Sequence, residues 1–286
     1  MKNWQREKNK IGIMNKLLLS LWIMLLLGIS QGAKADWPVG KHRWILTPSY
    51  TYSQSTKFFN ADRQLENSPF NGKFSSHTMS LYGVVGIGRK TDLVFNVPFA
   101  SVTSQNILDK FTHAGVGDTY VGFSFHTPSK DLKKYFTVKV GAIIPLYSNT
   151  TEPYLGLGSK GFFVGSNYSF NVKKKTFAII EGMFTRYFDQ QDGPNKLNVN
   201  LVYGMELPKS NLLIFTLNHE NSYSADKTFT ANLNGNKDFM FGSAGITYGK
   251  KISRTLMPTV KAFYTIYGRN AGQGVGIAVS MAIKIP

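Results

Sequence analysis

The stretch Leu197 to Leu207, LNVNLVYGMEL, decides the fold. Leu197, Val199, Leu201, Tyr203, Met205 and Leu207 fall on one face of an extended chain. Asn198, Asn200, Val202, Gly204 and Glu206 fall on the other, because successive side chains of a strand point to opposite sides. A helix would scatter the apolar residues around its circumference, so the stretch reads as a strand with one apolar face and one mostly polar or small face. The end of the chain repeats the pattern: Val275, Ile277, Val279, Met281, Ile283 and Ile285 alternate with Gly276, Ala278, Ser280, Ala282 and Lys284. A water-soluble sandwich would alternate in the same way with its apolar face turned inward, so periodicity alone leaves both architectures open.

Counting favours the membrane. The alternation recurs in twelve segments, near 41–54, 73–88, 91–103, 116–127, 134–146, 159–171, 174–188, 195–207, 211–223, 237–249, 254–268 and 273–285. Strands this long, even in number and joined alternately by short and mostly longer connections, are what a bacterial single-chain outer-membrane barrel requires. The reading is therefore all-β: a transmembrane antiparallel β-barrel of about 12 strands over residues 36–286, with both termini periplasmic. The short connections carry lysine-rich runs at 89–90, 132–134, 173–175 and 250–251, which places much positive charge on the periplasmic rim. One segment is irregular: Glu181 and Arg186 cannot both face inward without a bulge.

Ahead of the strands, LLLSLWIMLLLGIS at 17–30 follows Lys8, Lys10 and Lys16 and precedes Ala33-Lys34-Ala35. An apolar run this short, with basic residues before it and an A-x-A site after it, is a secretory signal peptide rather than a membrane span. Residues 1–35 are assigned to it, with cleavage after Ala35; Met14 offers a second possible start.

Composition agrees with an exported barrel. The chain of 286 residues has no cysteine, 14% aromatic residues and only 17% charged residues, below the roughly 25% usual in soluble domains. Without cysteine there is neither a disulfide scaffold nor a thiolate metal site. The formal charge of +17 alone would suggest an anionic partner such as nucleic acid. The basic clusters lie in the predicted turns, away from the aromatics of the apolar face, so no nucleic-acid partner is assigned.

With the apolar face outward, the candidate lumen-lining residues are Arg43, Asp92, Asn96, Tyr120, Lys139, Asn167, Glu206, Asn218, Glu220 and Lys261. Charges of both signs with amides between them suit a wetted path, and twelve strands fall between a filled barrel and a wide aqueous channel. Small inward positions, among them Gly86, Gly122, Gly141, Gly165 and Gly276, suggest open space. Gly115, Gly117 and Asp118 make a Gly-x-Gly-Asp that reads as a flexible entry from loop to strand, since no helix follows to bind phosphate. A Ser–His hydrolase on the barrel wall would have to use His77 with Ser75 or Ser80 and Asn71, or His219 with Ser222 and Asn221. His42, His113 and His126 are too scattered for a metal site. No catalytic, cofactor-binding or metal residue is assigned.

Two stretches carry a family resemblance: AGVGDTYVGFSFH (Ala114 to His126) and VKVGAIIPLYSN (Val138 to Asn149). They resemble the outer-membrane proteins of the phenol meta-cleavage-pathway type, except that Leu146, Tyr147 and Ser148 replace the threonine and glycine usual after the proline. The resemblance implies a signal-bearing barrel that passes small, often aromatic or hydrophobic, compounds through the outer membrane. The leading expectation is thus a passive, porin-like channel gated by loops 55–72, 104–115 and 224–236. Its partners are outer-membrane lipid, a small-molecule solute and the insertion machinery. A structural or adhesive barrel and, behind it, a barrel lipid hydrolase are the alternatives. N-terminal sequencing of the exported protein should read Asp36-Trp37-Pro38-Val39; a chain retaining Lys16 would show that the leader stays attached.

Overall fold

The computed structural model describes residues 38–148, 150–188, 193–228 and 235–286, so the leader and its cleavage position after Ala35 lie outside the described residues. The strands in chain order are β1 (Trp44–Ser55), β2 (Lys57–Phe59), β3 (Leu65–Asn67), β4 (Lys73–Gly86), β5 (Thr91–Gln105), β6 (Lys110–Val116), β7 (Asp118–Pro128), β8 (Lys134–Pro145) and β9 (Gly161–Lys173). They continue with β10 (Thr176–Tyr187), β11 (Asn195–Leu207), β12 (Asn211–Tyr223), β13 (Phe239–Lys250), β14 (Leu256–Arg269), β15 (Ala271–Gly272) and β16 (Val275–Ile285).

All pairings are antiparallel, and β16 closes the ring on β1 from Trp44 opposite Ile285 to Gln54 opposite Val275. The large sheet has 13 segments, but β6 and β7 are two halves of one strand that both pair with β5, which makes a closed barrel of twelve. Gly117 interrupts that strand, and its N–H donates to the Pro98 carbonyl at 2.8 Å. The residue parity facing the interior switches there, as at a bulge. Two expectations change. The connection placed at 104–115 is mostly strand, leaving 106–109 as a short hairpin tip, because β5 and β6 keep pairing as far as Gln105 and Lys110. The connection at 55–72 holds β2 and β3, which form a small second sheet with β15.

The alternation of apolar and polar residues becomes an inside and an outside. Leu197, Leu201, Phe215, Leu217, Ile246, Val260, Val275, Ile277 and Val279 are all more than 40% exposed on the outer surface. So much apolar surface on one face suits lipid rather than water. Barrel closure meanwhile pairs the backbone groups that hydrocarbon would leave unsatisfied.

The small inward residues do not leave open space as expected. A Cβ at Gly122 or Gly141 would come within 2.8 or 2.5 Å of the Phe163 ring, one at Gly204 within 2.2 Å of Phe177, and one at Gly276 within 2.3 Å of Phe263. Rings from neighbouring strands lie flat over these glycines, so the missing side chains hold aromatic wall and not water. Gly204→Val drives a branched side chain into the Phe177 ring. Urea unfolding of the barrel in lipid vesicles should show a loss of about 1–3 kcal/mol, and an unchanged transition would mean that the ring is free to move.

Candidate functional site

Between β8 and β9 the segment 146–160 turns into the barrel and is fastened at Asp118, the first residue of β7. Tyr147 Oη donates to Asp118 Oδ1 at 3.0 Å, the Leu157 N–H donates to Asp118 Oδ2 at 3.1 Å, and the Gly158 N–H donates to Tyr147 Oη at 2.9 Å. Burial, reinforced by the adjacent Asp118 carboxylate, pushes the Tyr147 hydroxyl pKa up and keeps it a donor. Leu155 packs on Ala100 and Val102, with Phe74 and Tyr147 beside it. His113 Nδ1 lies 3.2 Å from the Pro153 carbonyl.

Glycines make room for this seat: a Cβ at Gly115 would lie 2.9 Å from Leu155, and one at Gly156 only 2.6 Å from Asp118 and from Tyr147. The Gly-x-Gly-Asp motif is therefore a docking point for the inward segment and not a flexible strand entry. The two stretches that carry the family resemblance meet in the Asp118–Tyr147 bond.

Beside this seat stands Lys196 of β11, whose Nζ is 3.2 Å from Glu220 Oε1, while Asn198 Nδ2 donates to Glu220 Oε2 at 3.4 Å. The same ammonium sits over the rings of Phe239 at 5.1 Å and Tyr187 at 5.8 Å. Asp118, Lys196 and Glu220 line two cavities at once. One of about 390 Å³ is walled by Phe74, Leu155, Phe239, Phe241 and Phe263, and one of about 190 Å³ by Tyr120, Ile143, Met183 and Tyr187. The charged trio is the partition between them.

The ten candidate lumen residues take varied places. Lys139 reaches across β9 to Glu181, Nζ to Oε1 at 2.7 Å. Asp92 Oδ2 is 2.9 Å from His126 Nε2 and accepts the Val39 N–H at 3.1 Å, while His126 Nδ1 is 3.0 Å from Thr137 Oγ1. Tyr120 meets the Phe163 ring edge-on at 5.7 Å, and Asn96 pairs in register with Tyr82 and Tyr120. Asn167 is buried opposite Thr137 and Glu181, and Asn218 lies between Asn200 and Ser243. Lys261 sits over the Phe263 ring at 6.0 Å. Arg43 and Glu206 are exposed at the short-turn end, where their main chains bond Gly86 and Lys175. Only Glu220 of the ten belongs to the partition. Lys196 was legible, since it shares the parity of Asn198; Tyr147 carried no such signal, because it follows the end of a strand.

The irregularity expected between Glu181 and Arg186 is resolved by opposite facing. The register shift of β10 lies at Thr176/Phe177, and Arg186 Nη1 donates to the Gly193 carbonyl at 3.1 Å. The histidines proposed for hydrolysis pair with tyrosines: His77 Nδ1 is 2.7 Å from Tyr50 Oη, and His219 Nδ1 is 3.0 Å from Tyr267 Oη. Ser80 bonds Ser49, and Ser222 donates to the Lys237 carbonyl, so neither forms a dyad with these histidines. No group of three metal-binding side chains occurs among the described residues.

At the long-loop end a second cluster ties the 224–238 connection to β14. The buried Asp238 carboxylate takes Lys227 Nζ at 2.7 Å and the Arg269 guanidinium, and Lys237 pairs with Asp226 at 3.2 Å. Burial pulls the Asp238 pKa upward, but the hydrogen bonds from Arg269 and Lys227 outweigh it and hold the carboxyl below its ordinary value. A carboxyl with a depressed folded-state pKa contributes stability above its unfolded value of about 3.9, which is lost as pH falls through the folded value. Hydrogen exchange at the Ser224 amide, which donates to Asp238, should therefore be strongly protected relative to an unstructured amide at neutral pH and lose that protection below about pH 4. In Asp238→Asn the protection should be low throughout, and a wild-type protection that does not change with pH would show that the carboxylate does not hold the loop.

No protein-family model matches the chain, and no curated protein matches it in sequence. Its fold is similar to that of solved outer-membrane channels. An outer membrane channel from Pseudomonas putida F1 superposes with a TM-score of 0.70 at 15% identity, over 90% of this chain and 100% of the other. The NanC porin superposes with a TM-score of 0.51 at 11% identity, over 84% of this chain and 100% of the porin. The chain thus has the twelve-stranded, closed antiparallel barrel fold found in outer-membrane channels.

Proposed function

We propose that the chain is a passive channel of the bacterial outer membrane, exported by a cleaved leader and delivered to the insertion machinery. One observation carries the reading: a closed barrel with an apolar exterior encloses two cavities that meet at a charged partition. Such an interior needs no energy coupling to pass a solute. Trp44 and Ile285 stand together at the short-turn end, which puts both termini on the periplasmic side if the long connections face outward. The resemblance to phenol meta-cleavage-pathway proteins supports small aromatic or hydrophobic solutes. Arg43, Asp92, Asn96, Tyr120, Lys139, Asn167, Glu206, Asn218, Glu220 and Lys261 are proposed as the lumen lining.

The element that sets the opening is the inward segment 146–160 rather than the loops 55–72, 104–115 and 224–236, because it is the segment seated on the partition at Asp118. Residues 36–286 reconstituted in a planar bilayer should give discrete conductance steps, and Asp118→Ala, which frees that segment, should enlarge them by roughly twofold or more. A bilayer that stays silent with folded wild type and with Asp118→Ala would reject the channel and favour a structural or adhesive barrel.

A further inference from the structure

The partition has more hydrogen-bond acceptors than donors. Each carboxylate offers about four lone-pair sites. Asp118 uses one for Tyr147 and one for Leu157, and Glu220 one for Lys196 and one for Asn198. Lys196 is the cation of the trio, and its three donors cannot fill the remaining sites. Two carboxylates against one ammonium also leave the trio shared by the two cavities with a negative balance. The next lumen pair, Lys139 with Glu181, is neutral in sum. Lys261 is far off: its rung meets β12 at Ile214, six residues from Glu220, or about 20 Å along the strand.

The walls lead to the same ligand. Aromatic faces carry negative quadrupole charge and attract cations, and here the Lys196 ammonium already rests over Phe239 and Tyr187. Phe241 stacks on Phe239 at 6.0 Å and 16°, and Phe263 faces the same cavity. A space of about 390 Å³ holds a single-ring compound. An anion entering it would meet two carboxylates with only one ammonium to receive it.

Resting on the channel reading, we infer that the Asp118–Lys196–Glu220 partition is a selectivity site for organic cations, taking an ammonium group at the carboxylates and an apolar or aromatic body against the phenylalanines. Small inorganic cations pass by the same balance of charge.

Reversal potentials of the reconstituted channel under a KCl gradient test the first part. The wild type should favour potassium over chloride about threefold or more, and Glu220→Gln should lose or invert that preference while Lys196→Gln strengthens it. Phenethylammonium and phenylacetate, which share a ring and differ in the sign of their charge, test the second. The ammonium should block the current at about tenfold lower concentration than the carboxylate, and calorimetry on the folded barrel in detergent should rank their binding in the same order. A chloride-selective or unselective channel, or equal potency of the two probes, would overturn the inference and leave the channel reading standing. A silent bilayer would sink the channel reading alone, since calorimetry still decides whether the site prefers the cation.

Discussion

In hydrocarbon an unpaired backbone N–H or C=O has no water to turn to, and each costs several kcal/mol. Pairing of the last strand with the first, from Trp44 opposite Ile285 to Gln54 opposite Val275, removes the two free edges that an open sheet of these strands would present. Once the ring is closed, the two-residue period of each strand leaves its side chains only two destinations. Most leucine, isoleucine and valine side chains of the strands go to the lipid, while phenylalanines are divided between the outer face and the interior. The carboxylates, lysines and amides of the inner face are confined to the interior, where they must find each other or water.

That confinement explains the interior chemistry. Lys139 with Glu181, Lys196 with Glu220, and Asp92 with His126 are separated by 42, 24 and 34 residues in the chain, yet each pair comes from strands that the barrel places side by side or one apart. A charge left alone in so confined a space would carry a desolvation cost that pairing offsets. Asp118 is the exception that gives the interior its shape. Its carboxylate accepts a tyrosine hydroxyl and a backbone amide of an inward-turned segment, and so turns a connection into part of the wall. The glycines around it, Gly115 and Gly156, are there because any larger side chain would occupy the place of Leu155 or of the Asp118–Tyr147 bond.

Strand number and the sorting of faces can be read from the chain alone, because they are local: LNVNLVYGMEL shows its two faces within eleven residues. The errors arose where locality ended. Lys110 to Gly115 read as a loop, since Gly117 breaks the alternation and only pairing with β5 reveals that the strand continues above it. Gly122, Gly141 and Gly276 read as vacant space, since the rings that cover them belong to neighbouring strands.

What the sequence by itself determined is therefore the architecture: a two-residue period in twelve long segments, joined alternately by short and mostly longer connections, favours a closed barrel with its apolar side outward, and both features are properties of consecutive residues. The partition was decided only by the tertiary structure. Asp118, Tyr147, Lys196 and Glu220 come from three strands and a connection, and their meeting depends on barrel closure and on an inward turn between β8 and β9. No spacing along the chain encodes that turn, because its stability comes from hydrogen bonds and packing supplied by strands that are distant in sequence.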